Sequence, residues 1–93
     1  MLLRDAVGKE LRAARVAQSR TLRDVARDAR VSLGYLSEVE RGQKEASSEL
    51  LASICTALNI QLSSLLGSVT TQIAKSEKTS LTVLSNQITS DAA

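Results

Sequence analysis

Residues 21–42 read TLRDVARDARVSLGYLSEVERG, and this stretch decides the fold. Its first half carries Leu22, Val25, Ala26 and Ala29 at helical spacing, with Arg23, Asp24, Arg27 and Asp28 on the opposite face. That is an amphipathic helix of barely two turns, and Thr21 is placed to cap its start. Val31 and Ser32 interrupt the pattern before Leu33, Leu36 and Val39, followed by Glu40, resume it, so Ser32 is placed to cap a second helix. Isolated helices shorter than about 12–15 residues are marginal in water. Both must therefore be packed by helices outside the segment.

Two short helices joined by a three- or four-residue corner form a helix-turn-helix. The run ARVSLGYLSEVERG resembles the signature of the lambda-repressor-like, xenobiotic-response-element family of helix-turn-helix regulators, and SLGYLSEVERGQKEASSELL is most similar to its actinobacterial Clp gene regulator branch. The likeness covers roughly residues 5–67. It implies an all-α fold: a five-helix lambda-repressor-like domain over residues 1–67, followed by a C-terminal extension, 68–93. One departure stands out. The family usually has glycine in the corner, where a left-handed backbone is wanted, and this chain has Arg30, so the corner is expected to be built differently or to carry strain.

The remainder of the chain agrees with a small helical protein. Ninety-three residues suffice for one modest core, and with no Pro, Phe or Trp that core must be aliphatic. No apolar run reaches membrane-spanning length. Met1-Leu2-Leu3 is too short for the apolar region of a signal peptide and is followed at once by Arg4 and Asp5, so a cytoplasmic, nucleoid-associated protein is expected. The single cysteine, Cys55, cannot form an internal disulfide and falls on an apolar face beside Ile54.

The first helix is expected over about residues 4–18, with Leu3, Val7, Leu11 and Ala14 as its stripe and Lys9, Arg12 and Arg20 outside. Gly42 is placed to end the third helix and Ser47 to cap a fourth, which buries Leu51, Ile54, Cys55 and Leu58 and which Asn59 can end. Ile60, Leu62, Leu65 and Leu66 supply a short fifth helix closing the core before Gly67.

From Ser68 the composition changes, with ten Ser/Thr among 26 residues. Disorder and a pairing helix are both open readings: Leu81, Leu84 and Ile88 keep a 3-4 spacing, and a segment with so few large apolar groups would be used against a second subunit. The expectation is a homodimer through residues 68–93 with a frayed end. Ala92-Ala93 resembles the ending of bacterial degradation tags, which implies Clp protease as a partner through that terminus.

The net charge of +2 hides an asymmetry: residues 1–44 hold ten Lys/Arg against six Asp/Glu, residues 45–93 two against four. Basic charge thus accompanies the helix pair, as a duplex-binding surface requires, because neutralising phosphates releases condensed counterions. The resemblance implies that the third helix enters the major groove, with Leu33, Gly34, Ser37 and Glu38 facing bases. Leu33 suits a thymine methyl, Gly34 a close approach, Ser37 either hydrogen-bonding sense and Glu38 a cytosine amino group. None is the strong arginine reader of guanine, so DNA shape, or Arg41 entering from the side, is expected to contribute. Phosphates are expected at the amide end of the second helix near Thr21, and at Arg23, the Tyr35 hydroxyl, Gln43 and Lys44. The DNA-facing set also includes the cap residue Ser32. In the family an arginine corresponding to Arg15 pairs with the acid that is here Glu40, a structural bridge between the first and third helices.

The expected function is therefore a sequence-specific DNA-binding transcriptional regulator, an activator of protease and stress genes, bound as a dimer to a palindromic operator. A protein-binding adaptor or antitoxin-type module on the same fold is the alternative. An enzyme is not indicated: the chain has no histidine, one apolar-face cysteine, no glycine-rich phosphate loop and no metal-ligand cluster, and no cofactor is expected.

Overall fold

A computed structural model describes the backbone of residues 1–92 and the side chains of residues 1–78. Five helices follow in order: α1 (Leu3–Ala17), α2 (Leu22–Ala29), α3 (Leu33–Glu40), α4 (Ser48–Ala57) and α5 (Leu62–Ala92). The described residues contain no strand. This is the all-α, lambda-repressor-like arrangement, and none of the helices is by itself long and apolar enough to cross a membrane among the described residues.

The helices are short because each boundary is written into local chemistry. Thr21 Oγ1 accepts from the Asp24 amide, Ser32 Oγ from the Tyr35 amide and Ser47 Oγ from the Leu50 amide, so α2, α3 and α4 all start on a hydroxyl cap. At the other end, α1 to α4 share one device. A residue with left-handed backbone follows each helix: Ser19 (φ 54°), Arg30 (φ 59°), Gly42 (φ 72°) and Asn59 (φ 55°). The next amide then reaches back to the final turn: Arg20 to the Arg15 carbonyl (3.2 Å), Val31 to Ala26 (3.0 Å), Gln43 to Glu38 (2.9 Å) and Ile60 to Cys55 (3.0 Å).

Only Gly42 takes the left-handed conformation freely. The corner between α2 and α3 keeps the geometry that glycine usually supplies, so Arg30 carries a strain of roughly 1–2 kcal/mol. The departure in sequence is absorbed as strain, not as a different corner.

Leu11, Val25, Leu36, Val39, Ile54, Cys55 and Leu58 form the buried centre, with Leu65 from α5. Each fully buried Leu or Ile stabilises by about 1.5–3 kcal/mol relative to exposure, which is what holds the short α2 and α3 in place. Cys55 lies inside this cluster, and burial raises its thiol above the ordinary value, so it is a packing residue.

Three expectations need correction. Leu3 is 61% exposed and does not join the stripe; Ala6, Gly8 and Leu11 are the buried positions of α1 instead. The fifth helix does not close at Gly67 but runs through it as one element to Ala92. A mid-helix glycine costs about 1 kcal/mol relative to alanine. Burial of Val69, one turn beyond Leu65, and a hydrogen bond from Gln72 Nε2 to Glu10 of α1 offset that cost. Third, Leu66, expected to help close the core, is 43% exposed. The side chains of Leu81, Leu84 and Ile88, and Ala93, lie outside the described residues.

Candidate nucleic-acid interface

The helix expected to read DNA is held by its far end. Along α1, Arg4, Gly8, Leu11 and Arg15 share one face by helical spacing, and three of the four grip the end of α3. Arg4 Nε donates to the Gly42 carbonyl at 2.9 Å. At Gly8 the two backbones come so close that an added Cβ would sit 2.5 Å from the Val39 carbonyl oxygen and 2.6 Å from that of Glu40. Arg15 donates through Nε to Glu40 Oε2 at 2.8 Å and through Nη2 to Glu40 Oε1 at 2.9 Å.

The Arg15–Glu40 fork is nearly dry, its side chains being 15% and 6% exposed. Arg15 Nη1 also donates to the Arg20 carbonyl at 3.0 Å, so the guanidinium ties α3 to the α1–α2 link as well. The hydrogen bonds to Glu40 raise the guanidinium above its ordinary value against the opposing effect of burial. A largely shielded, part-buried pair of this kind is a positioning device: its net stabilisation is small, but either charge left alone would be costly.

Arg20, expected to remain outside, is instead drawn in. Its guanidinium donates to the Ala57 carbonyl at the end of α4 and pairs with Asp28 of α2, while Gln18 Nε2 donates to the Leu58 carbonyl at 2.6 Å. The final carbonyls of α4 lack intrahelical donors, and these two polar side chains supply them. Sequence reasoning passed over the roles of Arg4, Gly8 and Gln18 and set Arg20 outside. Only Gly8 had a readable signal, a glycine in the middle of a helical pattern.

Toward the reading end, Leu33 and Gly34 are exposed, Ser37 and Glu38 are half-buried, and a Cβ at Gly34 would meet nothing within 4 Å. Ser32 is exposed, its hydroxyl engaged by the Tyr35 amide. Tyr35 packs half-buried against the core cluster, and Lys44 Nζ lies 5.7 Å from its ring centroid, a cation–π contact that orders the start of the loop after α3. Arg41, Gln43 and Lys44 are exposed beside it.

Thr21 and Arg23 are exposed at the start of α2. There a capping box forms: Asp24 accepts from the Thr21 amide at 3.4 Å and Thr21 Oγ1 accepts from the Asp24 amide at 3.1 Å. The bonds from Thr21 hold the Asp24 carboxyl below its usual value. One carboxylate thus already occupies the amide end of α2, leaving the Leu22 and Arg23 amides for an anion. Arg12, Arg23, Arg30 and Arg41 make no ion pair among the described residues, whereas Arg27 is paired with Asp24 and Asp28.

Comparisons with known proteins fit this geometry. A helix-turn-helix family profile matches residues 11–65. The chain is 57% identical over 77 residues to the transcriptional regulator ClgR of Mycobacterium tuberculosis, covering 83% of this chain and 69% of that one. The crystal structure of the clp gene regulator ClgR from Corynebacterium glutamicum superposes with a TM-score of 0.79 at 45% identity, covering 90% of each chain. The restriction-modification controller protein C.AhdI from Aeromonas hydrophila gives a TM-score of 0.65 at 29% identity, over 67% of this chain and 94% of that one.

Proposed function

The chain belongs to the Clp gene regulators of the xenobiotic-response-element type of helix-turn-helix family, and from that premise we propose that it regulates transcription by placing α3 in the major groove of double-stranded DNA. The family is one of regulators and not of enzymes. The observation that carries the reading is the asymmetry of α3. Its carboxyl end is locked by Arg4, Gly8 and Arg15, while Leu33 and Gly34 at its amino end stand open to solvent.

In this reading Leu33, Gly34, Ser37 and Glu38 face base edges, and Arg23, Arg41, Gln43, Lys44 and the Leu22 and Arg23 amides hold phosphates. The Thr21 and Ser32 hydroxyls first hold the helices that present them, and the Tyr35 ring braces the loop that carries Lys44. A dimer joined through residues 68–93 places two copies of α3 about 34 Å apart over a palindromic operator. The continuity of α5 to Ala92 supports this role, because it carries a helix beyond the core. By kinship with the clp gene regulator, the genes under control are proposed to be clp genes, and their activation, with that of further stress genes, is part of the proposal.

Footprinting of genomic DNA with the purified protein tests the proposal. A protected site with two-fold symmetry, upstream of a protease gene and near its promoter, is the expected result. Failure to protect any site, together with duplex binding that is weak and insensitive to salt, would favour a protein-binding adaptor on the same fold.

A further inference from the structure

We infer that the groove where α1, α2 and α3 meet is a subsite for one backbone phosphate of the duplex, with Arg12 of α1 as one of its two cationic arms. The groove is lined by Arg12, Arg15, Leu22, Ser37, Glu40 and Arg41. This inference rests on the placement of α3 in the major groove, and it adds a contact from α1, outside the helix pair that reads bases.

The floor and the rim of the groove differ in charge. On the floor, both carboxylate oxygens of Glu40 are taken by Arg15, so the pair contributes no net charge. On the rim, Arg12 and Arg41 are exposed and make no ion pair among the described residues. Leu22, the first residue of α2, completes the lining of the groove.

Two unpaired guanidiniums around one concavity match a phosphodiester, whose two free oxygens accept from planar forks and carry a single negative charge. The only carboxylate lining the groove is the one already neutralised by Arg15. When the amino end of α3 lies among bases, its carboxyl half rises toward the groove edge, where Arg41 and then Arg12 would meet the sugar-phosphate strand. Arg12 is thereby distinguished from Arg15, three residues on, whose charge is spent inside the protein.

The test uses the full chain and a mixed-sequence duplex of about two helical turns, with affinity measured across a salt series. Arg12→Ala and Arg41→Ala should each weaken binding several-fold. The double variant should lower the slope of log affinity against log salt by about 0.9, the value for one phosphate and not two. Arg12→Lys should keep the unaltered protein's slope while regaining only part of the affinity lost in Arg12→Ala, because it keeps the charge and loses the fork. Wild-type affinity and slope in Arg12→Ala, with Arg23→Ala still impaired, would overturn the subsite and leave the reading of α3 intact. A double variant that is weakened while its salt slope stays at the unaltered protein's value would also overturn it. Absence of salt-sensitive duplex binding by the unaltered chain would overturn both inferences together.

Discussion

Gly8 of α1 faces the Glu40 carbonyl at the end of α3 so closely that a methyl group would stand 2.6 Å from that oxygen. Backbone lies on both sides of the contact, so no side chain can swing away to relieve it. Gly8→Ala should therefore destabilise by about 1–3 kcal/mol despite alanine's better helix propensity. Gly34→Ala is the internal contrast, since a Cβ there meets nothing. It should melt at or above the unaltered protein's temperature, by up to about 1 kcal/mol of added stability, and yet bind DNA more weakly because the methyl faces the bases. Thermal melting of both variants, with duplex titration of the second, checks the pair.

Removing one member of the Arg15–Glu40 fork strands the other in a nearly dry site. Glu40→Ala should cost about 3 kcal/mol by urea unfolding, and because the pair is largely shielded from solvent, added salt should do little to change that difference. An unchanged unfolding midpoint would remove the bridge from the description of how α3 is positioned.

The strain at Arg30 can be relieved. With φ at 59°, Arg30→Gly should stabilise by about 1 kcal/mol, a rise in Tm of roughly 4–8 °C, unless the exposed guanidinium has a separate stabilising partner. No such partner exists among the described residues. A lower Tm would show that the corner is not strained.

Much of the fold could be read from the chain because its signals are local. Thr21, Ser32 and Ser47 mark helix starts by a hydroxyl next to an apolar period, and Gly42 and Asn59 mark ends. What could not be read was non-local. The partners of Arg4 and Arg20 are carbonyls roughly forty residues away, and a carbonyl leaves no mark in sequence. The end of α5 was misplaced for a related reason: Gly67 suggests a stop, whereas the surface of α1 that receives Val69 and Gln72 is specified only by the packing. At the candidate interface, the exposed residues of α3 were legible from their position in the motif. The occupation of α2's amide end by Asp24 emerged only from the hydrogen bonds.

Dimerisation should depend on α5 beyond the core. Truncation after Gly67 would confuse the issue, because it also removes Val69 from the core. A stop after Lys78 retains that packing and removes Leu81, Leu84 and Ile88. Sedimentation should then show a folded monomer where the full chain is a dimer, with operator affinity falling steeply. A truncated chain that still dimerises would move the interface onto the helices of the core.

The central claim is that α3 reads bases while its flanks hold phosphates, and comparing Glu38→Ala with Arg23→Ala addresses it most directly. Each variant is titrated on the footprinted operator and on a mixed-sequence duplex. Glu38→Ala should lower the ratio of operator to random affinity by about tenfold at one base pair, with little change on random DNA. Arg23→Ala should weaken both duplexes alike and reduce the salt slope by about one. Equal losses on both duplexes for both variants would contradict the placement of α3 in the groove.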